Sequence, residues 1–280
     1  MKKVRFFLLT KSFGLYINVL SRFSPAKARA LSYKLFSNPR YGKLEAGDLP
    51  EILKSVEKQD LNQGGNKIQS YVWPGNQETI LLVHGWESNA SRWELLLPHL
   101  SPSGKTIVAI DAPAHGLSQG SFNIPRYADA IHEAVLKFHP KYVIGHSIGG
   151  AAIVYYQHVY KNEAIEKVIL LGSPSDFDTI TDNYIRLLSL NERSKELFES
   201  YFTQNFNYHP KDFTAREFGK SMKMKGIIAH DQDDDIVLFP ESKKIAGAWK
   251  DAIFIETKGL GHSMHDEKLY KEIARFLFEE

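Results

Sequence analysis

The chain has 280 residues, of which 43% are hydrophobic and 24% charged, as in an ordinary soluble globular protein with a sizeable core. It contains no cysteine, which excludes disulfides and thiolate chemistry and fits a reducing compartment such as the cytoplasm. No apolar run approaches the roughly 18 residues of a transmembrane helix, so the sequence predicts none.

The first 44 residues differ in charge from the rest of the chain. They contain ten lysines and arginines and no acidic residue, although the net charge of the whole chain is only +2. Ser24-Pro25 is typical of a helix start and divides the segment into two predicted helices. Apolar residues in the first of these recur at the spacing of one helix face: Phe6, Leu9, Phe13, Ile17 and Leu20.

Two interpretations of residues 1–44 stay open. The basic amphipathic helices would make a peripheral contact with an anionic membrane surface, or they would pack against the core with their basic residues in solvent. A signal peptide is not favoured, because Lys11 interrupts the apolar region and no small-residue cleavage site follows it. We therefore treat residues 1–44 as a helical extension and residues 45–280 as the main domain.

From residue 66 onward, short apolar strands alternate with helices. This alternation predicts an α/β fold with a doubly wound, mostly parallel sheet covered on both faces. The predicted strands are 67–73, 79–83, 105–110, 142–144, 167–171, 226–229 and 252–255, and the predicted helices are 91–99, 125–138, 148–161, 240–249 and 265–279. Ligands of such sheets bind at the carboxyl ends of the strands, where His84, Asp111 and Ser147 stand.

Residues 173–222 interrupt this alternation. The interval has no strand-like run, and leucines with many aromatic residues indicate two or three helices. We interpret it as a helical cap inserted over the carboxyl ends of the strands.

The most informative motif is Gly145-His146-Ser147-Ile148-Gly149. An apolar strand precedes it and a helix-like run follows it, so Ser147 stands on a sharp strand-to-helix turn. Such a turn needs small residues on both sides of the serine, and Gly145 and Gly149 provide them. The turn would expose the serine hydroxyl beside the first amides of the helix.

A serine nucleophile also needs a histidine base and a carboxylate that orients the base. Both residue types follow Ser147 in strand-to-helix loops. An acidic loop at 231–235 comes after one predicted strand, and Gly261-His262 comes after the next.

With these motifs the chain resembles the α/β-hydrolase superfamily, of the esterase and lipase type with a helical cap. The triad order Ser, Asp, His is that of this superfamily. The resemblance covers residues 67–280 and rests on five motifs in register: His84-Gly85-Trp86, the loop Asp111–Ser118, Gly145–Gly149, the acidic loop 231–235, and Gly261-His262.

The resemblance implies a role for each matching residue. Ser147 would be the nucleophile, and His262 would act first as general base and then as general acid. Asp234 stands three residues before a valine, as the acid does in the family, and would orient His262. The backbone N–H groups of Trp86 and Ile148 would form the oxyanion hole.

Alternatives to two of these residues stay open. His265 competes with His262, and the acid could instead be Asp231, Asp233, Asp235, Asp176 or Asp178. His146 is predicted to point away from Ser147 and to pack in the core. His84 would brace the oxyanion loop, while Asp111 and His115 would shape the loop over the site.

Several other chemistries are disfavoured. Asp231-x-Asp233-x-Asp235 resembles the start of a calcium loop, but the Gly and Glu that such a loop needs are replaced by Ile236 and Ser242. Neither a dinucleotide nor a phosphate-binding motif is present, and the N-terminal segment is too apolar to suggest nucleic acid. We therefore expect no metal, no cofactor and no nucleic-acid partner.

The predicted function is hydrolysis of carboxylic esters through a Ser-His-Asp triad and an acyl-enzyme, on an apolar small-molecule or lipid-like substrate. An amidase, a thioesterase or a C–C bond hydrolase would use the same triad. A non-catalytic ligand-binding protein with this fold is the alternative from another class.

Overall fold

The computed structural model describes residues 2–76 and 78–279, with side chains from Phe7 onward, so the prediction for Phe6 lies outside the described side chains. The chain divides into two compact units. The helical unit comprises the N-terminal residues through Asn38 together with Asp176–Thr214. The sheet unit runs from Pro39 to Ser175 and resumes at Ala215.

Eight strands in the described part of the sheet unit form one sheet. They are β1 (Glu57–Gln63), β2 (Asn66–Trp73), β3 (Thr79–Val83), β4 (Thr106–Ile110), β5 (Tyr142–His146), β6 (Lys167–Leu171), β7 (Lys225–Asp231) and β8 (Ala252–Thr257). Their order is β1-β2-β4-β3-β5-β6-β7-β8. The β1–β2 and β2–β4 pairs are antiparallel and the other pairs are parallel, which confirms the predicted mostly parallel α/β sheet.

The strands that the sequence predicted best are those buried on both faces. Every residue of β3 and of β5 is buried, and such strands have continuous apolar sequences. The sequence prediction missed β1, because Leu61 is the one buried residue among its seven. The predicted turn at Gly64 and Gly65 joins β1 to β2, and both glycines have a positive φ, as a tight hairpin turn requires.

The described chain contains eleven α-helices. They are α1 (Lys2–Phe23), α2 (Pro25–Ser37), α3 (Glu51–Lys54), α4 (Leu97–Leu100), α5 (Ile124–Phe138), α6 (Ile148–Tyr160), α7 (Phe177–Leu188), α8 (Glu192–Phe206), α9 (Ala215–Phe218), α10 (Pro240–Ala248) and α11 (Glu267–Phe278). The predicted helix 91–99 is instead a 3₁₀ helix, Ala90–Leu95, followed by α4. Pro98 explains the break, because proline cannot donate the hydrogen bond that a continuous helix needs.

The helical unit joins two segments that are far apart in the sequence, the N-terminal helices α1 and α2 and the helices α7 and α8 of the 173–222 interval. Tyr33 of α2 stacks on Tyr201 of α8 with 3.8 Å between ring centroids. The Tyr184 hydroxyl of α7 donates to the Ser32 carbonyl oxygen at 2.8 Å. Among residues 2–76 and 78–279, no helix combines the length and the apolar character needed to cross a membrane.

Substitution of Gly149 tests how closely α6 packs on β3, and Gly247 in α10 provides the comparison. A methyl group added at Gly149 would overlap the carbonyl oxygens of Val83 and His84, whereas one at Gly247 in α10 would meet nothing within 4 Å. We expect Gly149→Ala to lower the free energy of unfolding by about 1–3 kcal/mol. Gly247→Ala should raise it by about 0.5–1 kcal/mol, because alanine favours a helix. Urea unfolding measures both, and equal stability of the two variants would contradict the packing described.

Candidate active site

Ser147 occupies a strained turn between β5 and α6. Its φ of 53° and ψ of −127° lie in a region that residues with a side chain rarely adopt. The Ser147 amide donates to the Leu171 carbonyl oxygen at 2.8 Å, which ties the turn to β6. A Cβ at Gly145 would lie 2.8 Å from the Gly150 Cα, so the turn requires a glycine at that position. The strand–turn–helix geometry predicted for this motif is present.

Three of the predicted side chains form a hydrogen-bonded row. His262 Nε2 lies 3.0 Å from Ser147 Oγ, and His262 Nδ1 lies 2.8 Å from Asp234 Oδ2. The Asp234 carboxylate is fully buried, while the His262 side chain is 20% exposed. His265, the alternative to His262, has its Nδ1 2.5 Å from the Tyr270 hydroxyl.

Asp234 accepts hydrogen bonds at both of its oxygens. Besides His262, His230 approaches Oδ2 through Nε2 at 3.2 Å, and the amides of Ile236 and Val237 each donate to Oδ1 at 2.9 Å. Burial raises the pKa of the Asp234 carboxyl, but the hydrogen bonds from His230, His262 and Val237 outweigh it and hold that pKa well below its ordinary value.

The ionised Asp234 decides the tautomer of His262. A carboxylate can only accept a hydrogen bond, so the proton of a neutral His262 ring lies on Nδ1, which faces Asp234. Nε2 is then left with a lone pair that accepts the Ser147 Oγ–H. The arrangement can therefore take a proton from Ser147.

Asp231, another candidate for the acid, has different partners. It is fully buried, and its oxygens accept the amides of Leu260 and Gly261 at 3.0 Å and the Thr257 hydroxyl at 2.8 Å. Burial raises the pKa of Asp231, but these hydrogen bonds and one from the Asp233 amide outweigh it, so that the pKa is lowered. Asp231 thus holds the loop that leads into His262.

The remaining acidic candidates lie in other environments. Asp233 and Asp235 are exposed on the loop after β7. Asp176 belongs to the helical unit, where its Oδ1 accepts the Thr214 hydroxyl at 2.5 Å, and Asp178 stands in the first turn of α7.

His146 contacts the backbone of His262, a contact that the sequence analysis did not predict. Its side chain is buried, and Nε2 lies 2.8 Å from the His262 carbonyl oxygen. Burial, reinforced by the charge of Arg92, lowers the pKa of His146 well below its ordinary value. The ring is therefore neutral, and its Nε2–H donates to that carbonyl. The position beside the nucleophile was the only signal in the sequence that pointed to this residue.

His230 was also missed. It is fully buried at the end of β7, where Nε2 lies 2.8 Å from the Val237 carbonyl oxygen and Nδ1 lies 2.5 Å from the Ser242 hydroxyl. Both contacts, together with the one to Asp234, fix the ring. The position of His230 at the carboxyl end of a buried strand could have marked it as a site residue. Its partners Asp234 and Ser242 follow four and twelve residues later in the chain, and only the folded structure brings them to the ring.

The loop after β3 passes directly beside Ser147. A Cβ at Gly85 would lie 3.0 Å from the Ser147 Cβ. His84 is buried and braces this loop, because its Nε2 accepts the Ala112 amide at 2.9 Å and its Nδ1–H donates to the Gly85 carbonyl oxygen at 2.7 Å. Burial lowers the pKa of His84 well below its ordinary value, which keeps the ring neutral for both contacts.

The two residues whose N–H groups are predicted to form an oxyanion hole, Trp86 and Ile148, both follow segments next to Ser147. Trp86 comes directly after Gly85, and its ring packs on Phe122 with 4.9 Å between centroids. Ile148 is the first residue of α6, and the first amides of a helix have no partner within the helix. Both residues therefore lie on backbone segments adjoining Ser147.

Asp111 and His115 stabilise the loop after β4. Burial raises the pKa of Asp111 to about 6 and lowers that of His115 to about 4. His115 Nε2 accepts the Glu87 amide at 3.1 Å. Asp111 accepts three hydrogen bonds of 2.9 Å, from the Tyr71 hydroxyl and the amides of Ala90 and Leu117.

Within the described part of the chain, no group of three His, Asp or Glu side chains is placed to hold a metal ion.

Comparison with known proteins shows which family the chain resembles. Residues 78–226 match the family model described as alpha/beta hydrolase fold. A serine hydrolase-like protein of Danio rerio is 27% identical over 194 residues, which cover 65% of this chain and 57% of that protein. A bifunctional esterase/perhydrolase of Acinetobacter calcoaceticus is 23% identical over 258 residues, covering 73% of this chain and 93% of the relative. This chain thus spans little more than half of the Danio rerio protein.

A solved structure shares the fold. The bromoperoxidase from Bacillus anthracis superimposes with a TM-score of 0.63 and 18% identity, covering 81% of this chain and 100% of its own. At this level of identity the likeness concerns the fold alone.

The depressed pKa of Asp234 predicts how stability depends on pH. A carboxyl with a lowered folded pKa contributes stability above the ordinary aspartate pKa of about 3.9, and this contribution is lost as the pH falls towards the folded value. Asp234→Asn should therefore be less stable than the wild type at neutral pH, and the gap should shrink below about pH 4. Urea unfolding across this range measures it.

Asp235→Asn is the matched control, since Asp235 is an exposed neighbour on the same loop. It should leave stability nearly unchanged throughout. A gap between wild type and Asp234→Asn that stays constant from neutral to acidic pH would contradict an ionised, hydrogen-bonded Asp234.

Proposed function

The chain belongs to the alpha/beta hydrolase fold family, and on that premise we propose that it is a serine hydrolase of carboxylic esters. The observation that carries the proposal is the hydrogen-bonded row from Asp234 through His262 to Ser147. The relatives named serine hydrolase-like protein and esterase/perhydrolase support it.

In the proposed mechanism, Ser147 Oγ attacks the ester carbonyl carbon while its proton passes to His262 Nε2. The ionised Asp234 stabilises the imidazolium that forms. The tetrahedral intermediate then collapses, the C–O bond breaks, and His262 returns the proton to the departing alcohol. Water, deprotonated by the same Nε2, then attacks the acyl-enzyme, the bond from the acyl carbon to Ser147 Oγ breaks, and His262 returns the proton to Oγ as the acid is released.

The negative charge on the tetrahedral intermediate needs fixed donors. We assign this role to the backbone N–H groups of Trp86 and Ile148, because both adjoin Ser147. Each such donor lowers the barrier by about 3 kcal/mol in enzymes of this type. Since they are backbone groups, side-chain substitutions at the two positions leave the donors in place.

Buried groups outside the triad position its members. Asp231 holds the amide of Gly261, and His146 holds the carbonyl oxygen of His262, so the histidine loop is restrained on both sides. His230 restrains the carboxylate of Asp234. These contacts keep Nε2 within hydrogen-bond distance of Ser147 Oγ, which transfer of the proton requires.

We propose that the ester carries an apolar acyl or alcohol part. The aromatic residues of the insertion do not support this, because rings such as Phe198 and Phe202 are buried in the helical unit's own packing. Support comes instead from the partly exposed Trp86 and its neighbour Phe122, which form an apolar wall beside the proposed oxyanion hole.

The same catalytic row could cleave amides, thioesters or C–C bonds. The ester assignment rests on the relative named as an esterase. A non-catalytic binding protein is disfavoured because Ser147, which contacts His262, is held at a positive φ, a strained conformation that proteins keep mainly at functional sites.

We propose two partners for the chain, a small-molecule substrate and a membrane surface. The substrate is a small-molecule ester, and residues 1–44 make a peripheral contact with an anionic membrane. The ten basic residues of this segment and its lack of acidic ones support the contact, because each basic residue near an anionic lipid surface contributes about 1 kcal/mol of attraction.

An activated Ser147 predicts covalent labelling by a fluorophosphonate, which phosphonylates the Oγ and releases fluoride. Intact-mass spectrometry should show a single adduct on the wild type and none on Ser147→Ala. Ser263→Ala is the matched control, because Ser263 is an exposed serine next to His262, and it should still be labelled. An unlabelled wild type, or a labelled Ser147→Ala, would overturn the assignment of the nucleophile.

An apolar substrate predicts a chain-length preference. The kcat/KM for p-nitrophenyl esters should rise from acetate towards octanoate. Trp86→Ala keeps the backbone amide but removes the apolar wall, so it should reduce the preference for octanoate over acetate by about tenfold. A flat profile, or one that favours acetate alone, would refute the apolar substrate while leaving the serine hydrolase proposal intact.

A further inference from the structure

Helix α1 packs into the helical unit through a face of mostly small residues, with Ile17 as its one large apolar side chain. The buried positions are Thr10, Gly14, Ile17 and Ser21, at the spacing of one helix face. A Cβ at Gly14 would overlap the carbonyl oxygen of Leu188, so the backbone of α1 lies directly against the end of α7. This close approach determines which face of α1 points inward.

Polar contacts hold α1 in the same orientation. The Lys11 ammonium donates to the Leu187 carbonyl oxygen at 2.9 Å and to the Ser189 hydroxyl at 2.7 Å. Asn18 Nδ2 donates to the Ser189 carbonyl oxygen at 2.9 Å, and its Oδ1 accepts the Asn191 amide at 2.9 Å. Lys11 and Asn18 thus bind the carboxyl end of α7, so rotation of α1 about its axis would break all four hydrogen bonds.

The large apolar residues of α1 consequently face outward. Leu15 is 66% exposed, Tyr16 57% and Phe23 83%, and Leu8 and Val19 are also exposed. Positions 8, 15 and 19 repeat at the spacing of one helix face, opposite the buried one. Exposed apolar side chains gathered on one face of a helix are typical of an interaction site. We call it the outer face of α1.

Basic side chains accompany the outer face on α1 and on the helix that follows it. Arg22 continues the row of Leu15 and Val19 and is exposed, as are Lys27 and Lys34 on α2. Among the described side chains, no lysine or arginine from residue 7 to residue 44 forms an ion pair. The basic side chains of this part of the chain are therefore not engaged in ion pairs within the described protein.

Building on the peripheral membrane contact proposed for residues 1–44, we propose that the outer face of α1 is the surface that docks on an anionic lipid bilayer, with the helix lying in the plane of the interface. The apolar side chains enter the boundary of the acyl chains, and Arg22 and Lys27 stay at the level of the phosphates. A second copy of the chain is a weaker partner for this surface, because residues 1–44 of each copy carry ten basic residues and no acidic one. Charge complementarity therefore favours the bilayer.

The test is co-sedimentation of the full-length protein with vesicles of phosphatidylglycerol and phosphatidylcholine at low salt. The wild type should bind, and binding should weaken as salt is added. The variant Leu15→Ser/Val19→Ser/Phe23→Ser should bind at least about tenfold more weakly, because each side chain loses its transfer into the apolar phase. Arg22→Gln/Lys27→Gln should bind more weakly and depend less on salt.

The matched control is Leu136→Ser/Val159→Ser/Ile253→Ser, which removes three comparably exposed apolar residues from the sheet unit. It should bind within about twofold of the wild type. The melting temperature verifies that each variant folds. Because Ser147→Ala should bind vesicles like the wild type, the outcome is independent of the proposed hydrolase activity.

Two results would overturn the proposal. One is an absence of binding to anionic vesicles at low salt. The other is a wild type that forms a dimer in sedimentation equilibrium, a Leu15→Ser/Val19→Ser/Phe23→Ser variant that is monomeric, and no vesicle binding by either. That second result would assign the outer face to a second copy of the chain.

Discussion

A single buried carboxylate organises the catalytic end of the sheet. Asp234 is buried as an anion, which is costly unless hydrogen bonds replace its lost hydration. Two histidines and two amides supply them, from β7, from the loop after it and from the loop after β8. Because the anion needs these donors and the donors need the anion, the loops that carry them are held in one arrangement. His262 acquires its tautomer from this interaction, and with it the ability to accept a proton from Ser147.

His262 lies in a single 3₁₀ turn, Gly261–Ser263, and surrounding groups hold that turn in place. Asp231 accepts hydrogen bonds from the amides of Leu260 and Gly261, which precede His262, and the neutral His146 donates to the His262 carbonyl oxygen. The Nε2–H of His146 donates to that oxygen, while burial and the nearby charge of Arg92 lower the pKa of the ring. The residue beside the nucleophile therefore positions the base.

Close backbone approach at glycine decides the packing in both units. In the sheet unit, Gly149 lets α6 pack against the end of β3, which places Ser147 beside the proposed oxyanion loop. In the helical unit, Gly14 lets α1 rest on the end of α7 and turns Leu15 and Phe23 outward. In each case the glycine permits the close backbone contact, and the larger neighbouring side chains face the proposed catalytic site or the outside of the helical unit.

The sequence by itself determined the α/β class, the central strands and the turn at Ser147, because continuous apolar runs and glycine spacing are local properties of the chain. It narrowed the base and the acid to a few residues in three segments of the chain. It did not reveal β1, whose one buried residue leaves no pattern. Only the tertiary structure decided which of the clustered aspartates meets His262, that His146 and His230 contact the triad, and which face of α1 is buried. Those outcomes depend on distances between segments that are far apart in the chain, and no local pattern encodes them.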